Sequence, residues 1–367
     1  MKEVVVGSAK SESGKIVYGF IEGIALPTGG FEKLPVIIAQ GLEDGPTLFL
    51  TANVHGNELT GIAIIHEVIT QDLAKELKGT IVAIPTLNPS GLRAGTRHPE
   101  FSEKDPNRMY PQTRFLKKDD EEDEDRKYPK PYEQVAAKVF AYMKEYADFH
   151  IDFHNHSIRS IPYSILDRIF FDNDDEKEAA ELLAKQQREM VEAFGCIMTA
   201  DFPPKKYLKL KYLRSVSGAA LNNLRIPAFT VELGANTILL PEIIAGSVKG
   251  TRNVLRWAGM IDSPEERITE FDTTSPKERS QRLEHPRSTV SGIIRFLVEP
   301  GEYVKAGQEI AKISDIHGRP LGDGFIRTEY DGYMIALNSL PIVYPGQHIS
   351  EMGIRDDAPI VAKFPLE

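Results

Sequence analysis

A histidine and a glutamate three residues apart are the first side chains in this sequence whose types and spacing suit a chemical role. They are His55 and Glu58, in the run NVHGNE over 53–58. An imidazole nitrogen and a carboxylate oxygen are both zinc ligands, and the glycine between them allows a tight turn that brings both to one ion. A catalytic zinc usually has three protein ligands and one open position. The pair therefore predicts two ligands of a metal site and requires a third.

His154, in the run DFHNH, is our candidate for the third ligand. It ends a predicted strand, Phe149–His154, whose alternation places His150, Asp152 and His154 on one face. We interpret His150, deeper in the strand, as a hydrogen-bonded core histidine. His156 is the rival ligand, and we predict that it lies past the strand end in a surface loop.

The elements that must position these ligands alternate between strand and helix. The predicted strands are Thr47–Val54, Thr80–Pro85, Phe149–His154 and Ala228–Leu233, and the predicted helices are Glu58–Leu77, Tyr132–Tyr146, Asp174–Phe194 and Leu240–Ala258. This alternation predicts an α/β core with a mostly parallel sheet flanked by helices. Such sheets bind ligands at the carboxyl ends of their strands, where His55 and His154 lie.

Both ends of the chain differ from this core. Two β-rich stretches, Val17–Leu26 and Leu34–Gln40, precede it. After it, residues 263–286 are charged and punctuated by proline, which predicts a linker or a surface crossover. Short β segments separated by glycine turns follow and predict a small all-β domain over 287–367. We therefore expect a catalytic domain over 1–262, followed by the linker and the C-terminal β domain.

The composition excludes several classes of protein. Lysine and arginine number 44 against 54 aspartates and glutamates, a formal net charge of −10, which argues against a nucleic-acid partner. The single cysteine, Cys196, excludes an internal disulfide. We find no signal-peptide layout and no apolar run near the roughly 18 residues of a membrane helix, so we expect a cytoplasmic protein without a membrane partner. The acidic run 119–125 predicts a solvated loop, and homo-oligomerisation stays open.

Four short motifs resemble, in the same order, those of the succinylglutamate desuccinylase and aspartoacylase family, the amidohydrolase branch of the zinc carboxypeptidase superfamily. They are HGNE at 55–58, DPNR at 105–108, DFHN at 152–155 and VELG at 231–234. The resemblance implies a zinc-carboxypeptidase-like mixed sheet and a barrel-sandwich-like C-terminal β domain that caps the active site. It also implies a deacylase that hydrolyses the amide bond of a small N-acyl amino acid.

The resemblance assigns the metal ligands and the catalytic base. It makes His55, Glu58 and His154 the ligands of one zinc ion per chain. Glu232, in the fourth motif, becomes the general base and acid that acts on the zinc-bound water. The chemistry agrees, because zinc lowers the pKa of its bound water from about 15.7 to about 7, and a neighbouring carboxylate can pass the proton to the leaving amine.

Four further residues receive roles from the same resemblance. Asn107 and Arg108 become substrate-binding residues, and Arg97 matches another arginine of the family. Arg108 offers a planar guanidinium that fits a carboxylate with two hydrogen bonds. Asp105 matches the aspartate that hydrogen-bonds the first zinc histidine. Its neighbour Pro106 departs from the family, which has an aliphatic residue at that position.

We consider two alternative functions to that of a deacylase. A zinc metallocarboxypeptidase acting on peptides would use the same metal motif, but Ala219–Ala228 lacks the tyrosine that those peptidases place over the substrate. A binding protein with a decayed metal site is disfavoured by the intact set of ligands. The C-terminal domain also resembles biotinyl and lipoyl carriers, but 315–320 lacks the carrier lysine, so we expect a structural cap. No motif identifies the acyl group or the amino acid.

Overall fold

One mixed β-sheet runs through the protein, and helices cover both of its faces. The computed structural model describes residues 2–115, 128–273 and 279–365. The predicted acidic loop at 119–125 lies outside the described residues. Together with the antiparallel β region at the C-terminus, this architecture confirms the predicted fold class.

The strands and helices are numbered in chain order. The strands are β1 (Val5–Val6), β2 (Ala9–Lys10), β3 (Lys15–Ala25), β4 (Phe31–Gln40), β5 (Glu43–Ala52), β6 (Lys78–Ile84), β7 (Phe149–His156), β8 (Arg159–Ser160), β9 (Pro162–Leu166), β10 (Ile169–Phe171), β11 (Ile197–Ala200), β12 (Ala228–Ala235), β13 (Ser280–Glu284), β14 (Gly292–Phe296), β15 (Tyr303–Val304), β16 (Glu309–Ser314), β17 (Pro320–Arg327), β18 (Gly332–Leu337), β19 (Ile342–Val343), β20 (Ser350–Arg355) and β21 (Val361–Lys363). The helices are α1 (Thr60–Val68), α2 (Gln71–Glu76), α3 (Pro89–Ala94), α4 (Pro131–Tyr146), α5 (Lys177–Phe194), α6 (Pro204–Lys209), α7 (Val216–Ala219) and α8 (Pro241–Trp257). In the described parts of the chain, we find no helix with the length and apolar character needed to cross a membrane.

The main sheet has the strand order β3-β4-β6-β5-β7-β12-β9-β11-β13-β20-β18-β15, with β8 beside β18. The neighbours β6, β5, β7 and β12 are all parallel, as the alternation of strands and helices predicts. Strand β9, which the sequence pattern does not predict, runs antiparallel to β12 and parallel to β11. The carboxyl ends of β5, β7 and β12 therefore meet at one edge of the sheet.

Alternate residues of each central strand face opposite sides of the sheet. In β7, Ile151 and Phe153 pack in the hydrophobic cluster that includes α1, α5 and α8. His150, Asp152 and His154 therefore lie on the other face, the side of α4 and α7, as the alternation predicts. The candidate ligand His154 thus shares its face of β7 with His150 and Asp152, and the apolar side chains of Ile151 and Phe153 lie on the opposite face.

The predicted helix Glu58–Leu77 is wrong in its extent, because the structure has two helices, α1 and α2, in this region. The chain breaks between them at Thr70, whose backbone is extended. The Thr70 hydroxyl accepts a hydrogen bond of 3.2 Å from the backbone N–H of Leu73 and so caps α2. A threonine that caps a new helix competes with continuation of the previous one.

The C-terminal β region is continuous with the main sheet. Residues 263–286, predicted as a linker or a crossover, contain β13, which pairs with β11 on one side and β20 on the other. Strands β14, β16, β17 and β19 form a separate antiparallel sheet. The last strand, β21, returns to pair with β10 beside the core. The division into three domains stays a prediction.

A buried ion pair also joins the core to the C-terminal region. Arg168, two residues past β9, donates to both carboxylate oxygens of Asp356, at 3.0 and 3.2 Å, and both side chains are fully buried. The same guanidinium donates to the backbone carbonyls of Asp201 and Phe202. Removal of the Asp356 carboxylate would leave a buried cation without this charged partner, which is strongly destabilising.

We expect Asp356→Ala to lower the free energy of unfolding by about 3–5 kcal/mol, because it removes the charged partner of the buried Arg168 guanidinium. Asp357→Ala is the matched control, since the Asp357 side chain is 77% exposed and pairs with Arg355 at the surface. This control should change the free energy of unfolding by less than about 1 kcal/mol. Urea unfolding followed by circular dichroism measures both variants, and equal losses would contradict the prediction.

Candidate active site

Asn53 holds the loop that leads from β5 into α1. It has a positive φ of 57°, a left-handed conformation that asparagine adopts more readily than most residues. Its side-chain amide donates to the backbone carbonyls of His55, at 3.0 Å, and of Glu58, at 2.7 Å. The Thr86 hydroxyl, just past β6, donates to the Asn53 side-chain oxygen at 2.6 Å. Asn53 thereby fixes the two backbone positions from which the predicted ligands extend.

Gly56 lies between these ligands because the loop packs against another backbone. A Cβ atom at Gly56 would lie 2.1 Å from the backbone carbonyl carbon of Gly91 in α3. No side chain fits at that distance in a close-packed interior. The glycine is therefore required by the contact with α3, in addition to the tight turn that the sequence predicts.

The structure brings the three predicted metal ligands together. Nδ1 of His55 lies 2.7 Å from Oε1 of Glu58, and Nδ1 of His154 lies 2.9 Å from Oε2 of the same carboxylate. One donor atom from each residue fits within 4.8 Å of the others, and all three residues are buried. Two imidazoles and a carboxylate with converging donor atoms are a set that zinc takes. The residues present therefore fit a zinc ion.

A second carboxylate contacts each histidine at its other ring nitrogen. Nε2 of His55 lies 3.0 Å from Asp105, and Nε2 of His154 lies 2.8 Å from Asp152. Such bonds fix the ring orientation of metal-binding histidines. Asp105 lies where the resemblance expects it, whereas our sequence assignment omits Asp152. The signal for Asp152 was its position two residues before His154 on the same strand face.

Asp152 is held in turn by a hydrogen bond from the neighbouring strand β5. The Thr51 hydroxyl donates to Asp152 at 2.6 Å and lies 2.8 Å from Nε2 of His150. Burial lowers the pKa of His150 to about 4, so that this imidazole is neutral at neutral pH. The prediction that His150 is a hydrogen-bonded core histidine is confirmed.

The electrostatics of the cluster favour a positive charge between its members. Burial raises the pKa of Glu58, but His55 and His154 outweigh burial and hold this pKa well below its ordinary value. Burial lowers the pKa of His154, but Asp152 and Glu58 reverse the effect and raise this pKa well above its ordinary value. A cation bound among these groups meets the same stabilising field. The electrostatic field of the cluster and its set of donor atoms therefore both favour a bound cation.

Glu232 lies on β12 directly beside the cluster. Its pairing partner in the parallel register is His154. The Glu232 side chain is buried, and its Oε2 atom has no hydrogen-bond partner in the described structure. A buried carboxylate oxygen without a partner is costly unless a water or substrate meets it. This oxygen is therefore available for proton transfer, which is the role that the sequence predicts for Glu232.

Arg97 and Asn107 line the same cavity as the cluster, a space of about 280 Å³. The Arg97 guanidinium donates to Glu58 and to Asp105, at 3.3 Å in each case. The Asn107 amide nitrogen lies 3.4 Å from Nε2 of His154. Both residues therefore contact the metal-site residues, and their predicted role in substrate binding stays a prediction.

Arg108 lines the cavity next to Asn107. Its Nε donates to the Leu210 carbonyl at 2.9 Å, and its Nη1 donates to the Asn107 carbonyl at 2.6 Å. The guanidinium carbon lies 3.8 Å from the centre of the Tyr212 ring, a cation–π contact. These contacts hold the guanidinium in one orientation at the cavity wall.

His156 is not in a surface loop, and that prediction is wrong. It is the last residue of β7, and its Nε2 lies 3.3 Å from Glu351 of β20. Glu351 also accepts hydrogen bonds from Arg282 of β13, at 2.7 and 3.2 Å. His156 and Arg282 both line the cavity, so strands outside the predicted catalytic domain help to form its wall.

Two buried carboxyl groups that the sequence analysis missed line the cavity as well. Asp167 and Asp201 directly follow β9 and β11, and both are almost fully buried. Burial raises the pKa of Asp167 to about 7, and the charge of Asp201 adds to this effect. The hydrogen bond from the Tyr207 hydroxyl and the charge of Arg108 act on this pKa in the opposite direction. No motif marks these residues, since the strands that carry them were themselves not predicted.

Comparisons with known proteins place the chain among deacylases. The family model described as the succinylglutamate desuccinylase/aspartoacylase catalytic domain matches residues 44–258. An N-alpha-acetyl-L-2,4-diaminobutyric acid deacetylase from Halomonas elongata is 23% identical over 347 residues, which cover 89% of this chain and 87% of that protein. A succinylglutamate desuccinylase structure from a Silicibacter species has a TM-score of 0.72 at 18% identity, covering 97% of this chain and 100% of that one. The product-bound ectoine utilization protein EutE (DoeB) from Ruegeria pomeroyi has a TM-score of 0.70 at 18% identity, covering 92% and 95%.

The raised pKa of Asp167 predicts a pH-dependent stability. An unfolded aspartate loses its proton near pH 3.9, whereas folded Asp167 keeps it until about pH 7, so stability falls as the pH rises through this window. Asp167→Asn should therefore raise the free energy of unfolding at pH 8 by roughly 2–4 kcal/mol relative to the unmodified protein. The difference should shrink toward pH 4.

Urea unfolding at several pH values measures this effect. Asp72→Asn makes the same chemical change at a side chain that is 94% exposed, and it should show no pH-dependent difference. A difference for Asp167→Asn that stays constant from pH 4 to pH 8 would contradict the predicted titration.

Proposed function

The chain belongs to the succinylglutamate desuccinylase/aspartoacylase family, and from this premise we propose that it is a zinc-dependent deacylase of small N-acyl amino acids. The observation that carries the proposal is the buried His55, Glu58 and His154 cluster with the unpartnered oxygen of Glu232 beside it. The Halomonas relative is named as a deacetylase of an N-acetylated amino acid, which supports the same reaction.

The proposed chemistry is hydrolysis of the amide bond between the acyl group and the amino acid. Bound at such a site, zinc lowers the pKa of a water molecule and polarises a carbonyl oxygen. Glu232 takes the proton from the attacking water at its free Oε2 atom and donates it to the leaving amine nitrogen. Asp105 and Asp152 hold the two histidine rings in the orientation that the cluster requires.

We assign the positioning of the substrate to Arg108. Its guanidinium is held by two carbonyls and by the Tyr212 ring, so it loses little freedom when it binds a carboxylate. Asn107 is held in turn by the Val216 backbone N–H, which donates to its side-chain oxygen at 2.8 Å. Together these residues offer an acyl amino acid a fixed site for its carboxylate.

The shape of the cavity supports a small substrate over a peptide. Arg282 of β13 forms part of the cavity wall, and its guanidinium donates a hydrogen bond to Glu351 of β20. We expect this wall to narrow the space beyond the metal site, which is the capping role that the sequence analysis predicts for the C-terminal region. A peptidase needs room there for a chain that continues past the scissile bond.

We expect the purified protein to bind one zinc ion per chain and His154→Ala to lose most of it, because two ligands do not make a stable site. His66→Ala is the matched control, since His66 is an exposed residue of α1. Metal analysis after dialysis measures both, with circular dichroism to confirm folding. Stoichiometric zinc in folded His154→Ala would show that this ligand assignment is wrong.

We expect Glu232→Gln to keep its zinc and to lose activity by roughly 10²–10⁴-fold in kcat, because it removes the proton carrier and no ligand. Release of amine from a panel of N-acyl amino acids and short peptides measures the effect. Glu299→Gln is the control, since the Glu299 side chain is 70% exposed. Activity of Glu232→Gln within tenfold of the unmodified protein would require another base, and faster cleavage of peptides would favour a carboxypeptidase.

A further inference from the structure

We propose that His156 forms the wall of the subsite for the acyl group and limits the length of the acyl chain that the protein can cleave. This inference rests on the proposed deacylase function and adds to it a residue that determines specificity. It starts from the position of His156 relative to two groups that the substrate would meet, Glu232 and Arg108.

The strand register places His156 on the outer side of the reacting groups. In the parallel pairing of β7 with β12, His154 lies beside Glu232, and His156 lies beside Ala235 at the carboxyl ends of both strands. Residues 154 and 156 point to the same face of the sheet, and both line the cavity. The His156 side chain therefore lies about 6–7 Å further along β7 than the metal ligand His154.

Arg108 lies on the inner side of the reacting groups, away from the carboxyl ends of β7 and β12. Burial raises the pKa of Asp167, and the charge of Arg108 acts against burial, so this guanidinium lies near the Asp167 carboxyl group. In the antiparallel pairing of β9 with β12, Tyr163 lies beside Glu232, and β9 then runs toward the amino end of β12. Asp167 follows four residues after Tyr163. Asp167 and Arg108 are thus on the side of Glu232 that is opposite to His156.

These positions set the direction of the acyl group. The proposed function places the substrate carboxylate at Arg108 and the scissile amide beside Glu232. In an N-acyl amino acid the carboxylate and the acyl chain extend from opposite ends of a trans amide bond. The acyl chain therefore points away from Arg108 and toward His156.

The imidazole of His156 is held in place on the side away from the cavity. Its Nε2 atom lies 3.3 Å from Glu351 of β20, and its ring lies against the Tyr163 ring, with the two centroids 6.1 Å apart. Glu351 is itself fixed by two hydrogen bonds from Arg282. The His156 side chain is 24% exposed and lines the cavity. A ring packed in this way cannot move aside for a longer acyl chain without losing these contacts, so it selects substrates by size.

Metal binding is the alternative role for His156. In the described parts of the chain, the group of side chains with metal-ligand spacing consists of His55, Glu58 and His154 and does not include His156. The Nε2 atom of His156 already contacts Glu351. The geometry therefore favours a wall over a further ligand, and the zinc content of a variant separates the two roles.

The test is a series of substrates that differ only in acyl length. It uses the acetyl, butanoyl and hexanoyl derivatives of the amino acid that is released fastest in the panel described above. For the zinc-loaded protein, kcat/KM should fall by at least about tenfold from acetyl to hexanoyl. His156→Ala removes the ring, so it should raise the hexanoyl-to-acetyl ratio of kcat/KM by at least about tenfold and keep one zinc per chain. His156→Asn should raise the ratio less, and the exposed control His66→Ala should leave it unchanged.

Each outcome decides a different point. Equal cleavage of the hexanoyl and acetyl derivatives by the unmodified protein, or an unchanged ratio in both folded His156 variants, would overturn the acyl wall and leave the deacylase standing. Loss of zinc from folded His156→Ala would also overturn it, because the residue would then belong to the metal site. Hydrolysis of no N-acyl amino acid by the zinc-loaded protein would overturn the proposed function, and the inference with it. If neither variant folds, the acyl preference of the unmodified protein decides.

Discussion

Two imidazoles held between carboxylates in a buried site set the conditions that the rest of the structure meets. Glu58 contacts His55 and His154 at once, and Asp105 and Asp152 hold the outer nitrogens of these rings. Such groups cannot be buried without partners, so each must lie within hydrogen-bond distance of its neighbours. Parallel strands that end at one edge of the sheet provide this placement, because their backbones are fixed by neighbours on both sides.

The local part of this arrangement could be predicted from the sequence. His55 and Glu58 are close in the chain, and alternation along a single strand places His154 beside Asp152. The convergence of the two segments follows from the general rule that parallel strands end at the same edge. Asn53 and Gly56 show the limit of this reasoning, because their backbone roles depend on Thr86 and Gly91, which no local pattern connects to them.

The other wrong or missing predictions share one cause, because they depend on contacts between segments that are far apart in the chain. Strands β9 and β11 have five and four residues, too short to distinguish from loops by composition, so Asp167 and Asp201 were not seen to meet. His156 continues β7 because it pairs with Ala235 of β12, and its side chain contacts Glu351, 195 residues later in the chain. The break at Thr70 is different, since two local options compete there, a continued helix and a new cap.

The buried pair of Arg168 and Asp356 has a consequence for the order of events during synthesis. The two residues are 188 positions apart, which at about 5–20 residues per second separates their emergence from the ribosome by roughly 10–40 s. Throughout this interval the nascent core contains a guanidinium that cannot be buried with its charge balanced. The region just past β9, where Arg168 lies, must therefore stay hydrated until the segment that contains Asp356 has been synthesised, whereas the central strands can pair before then.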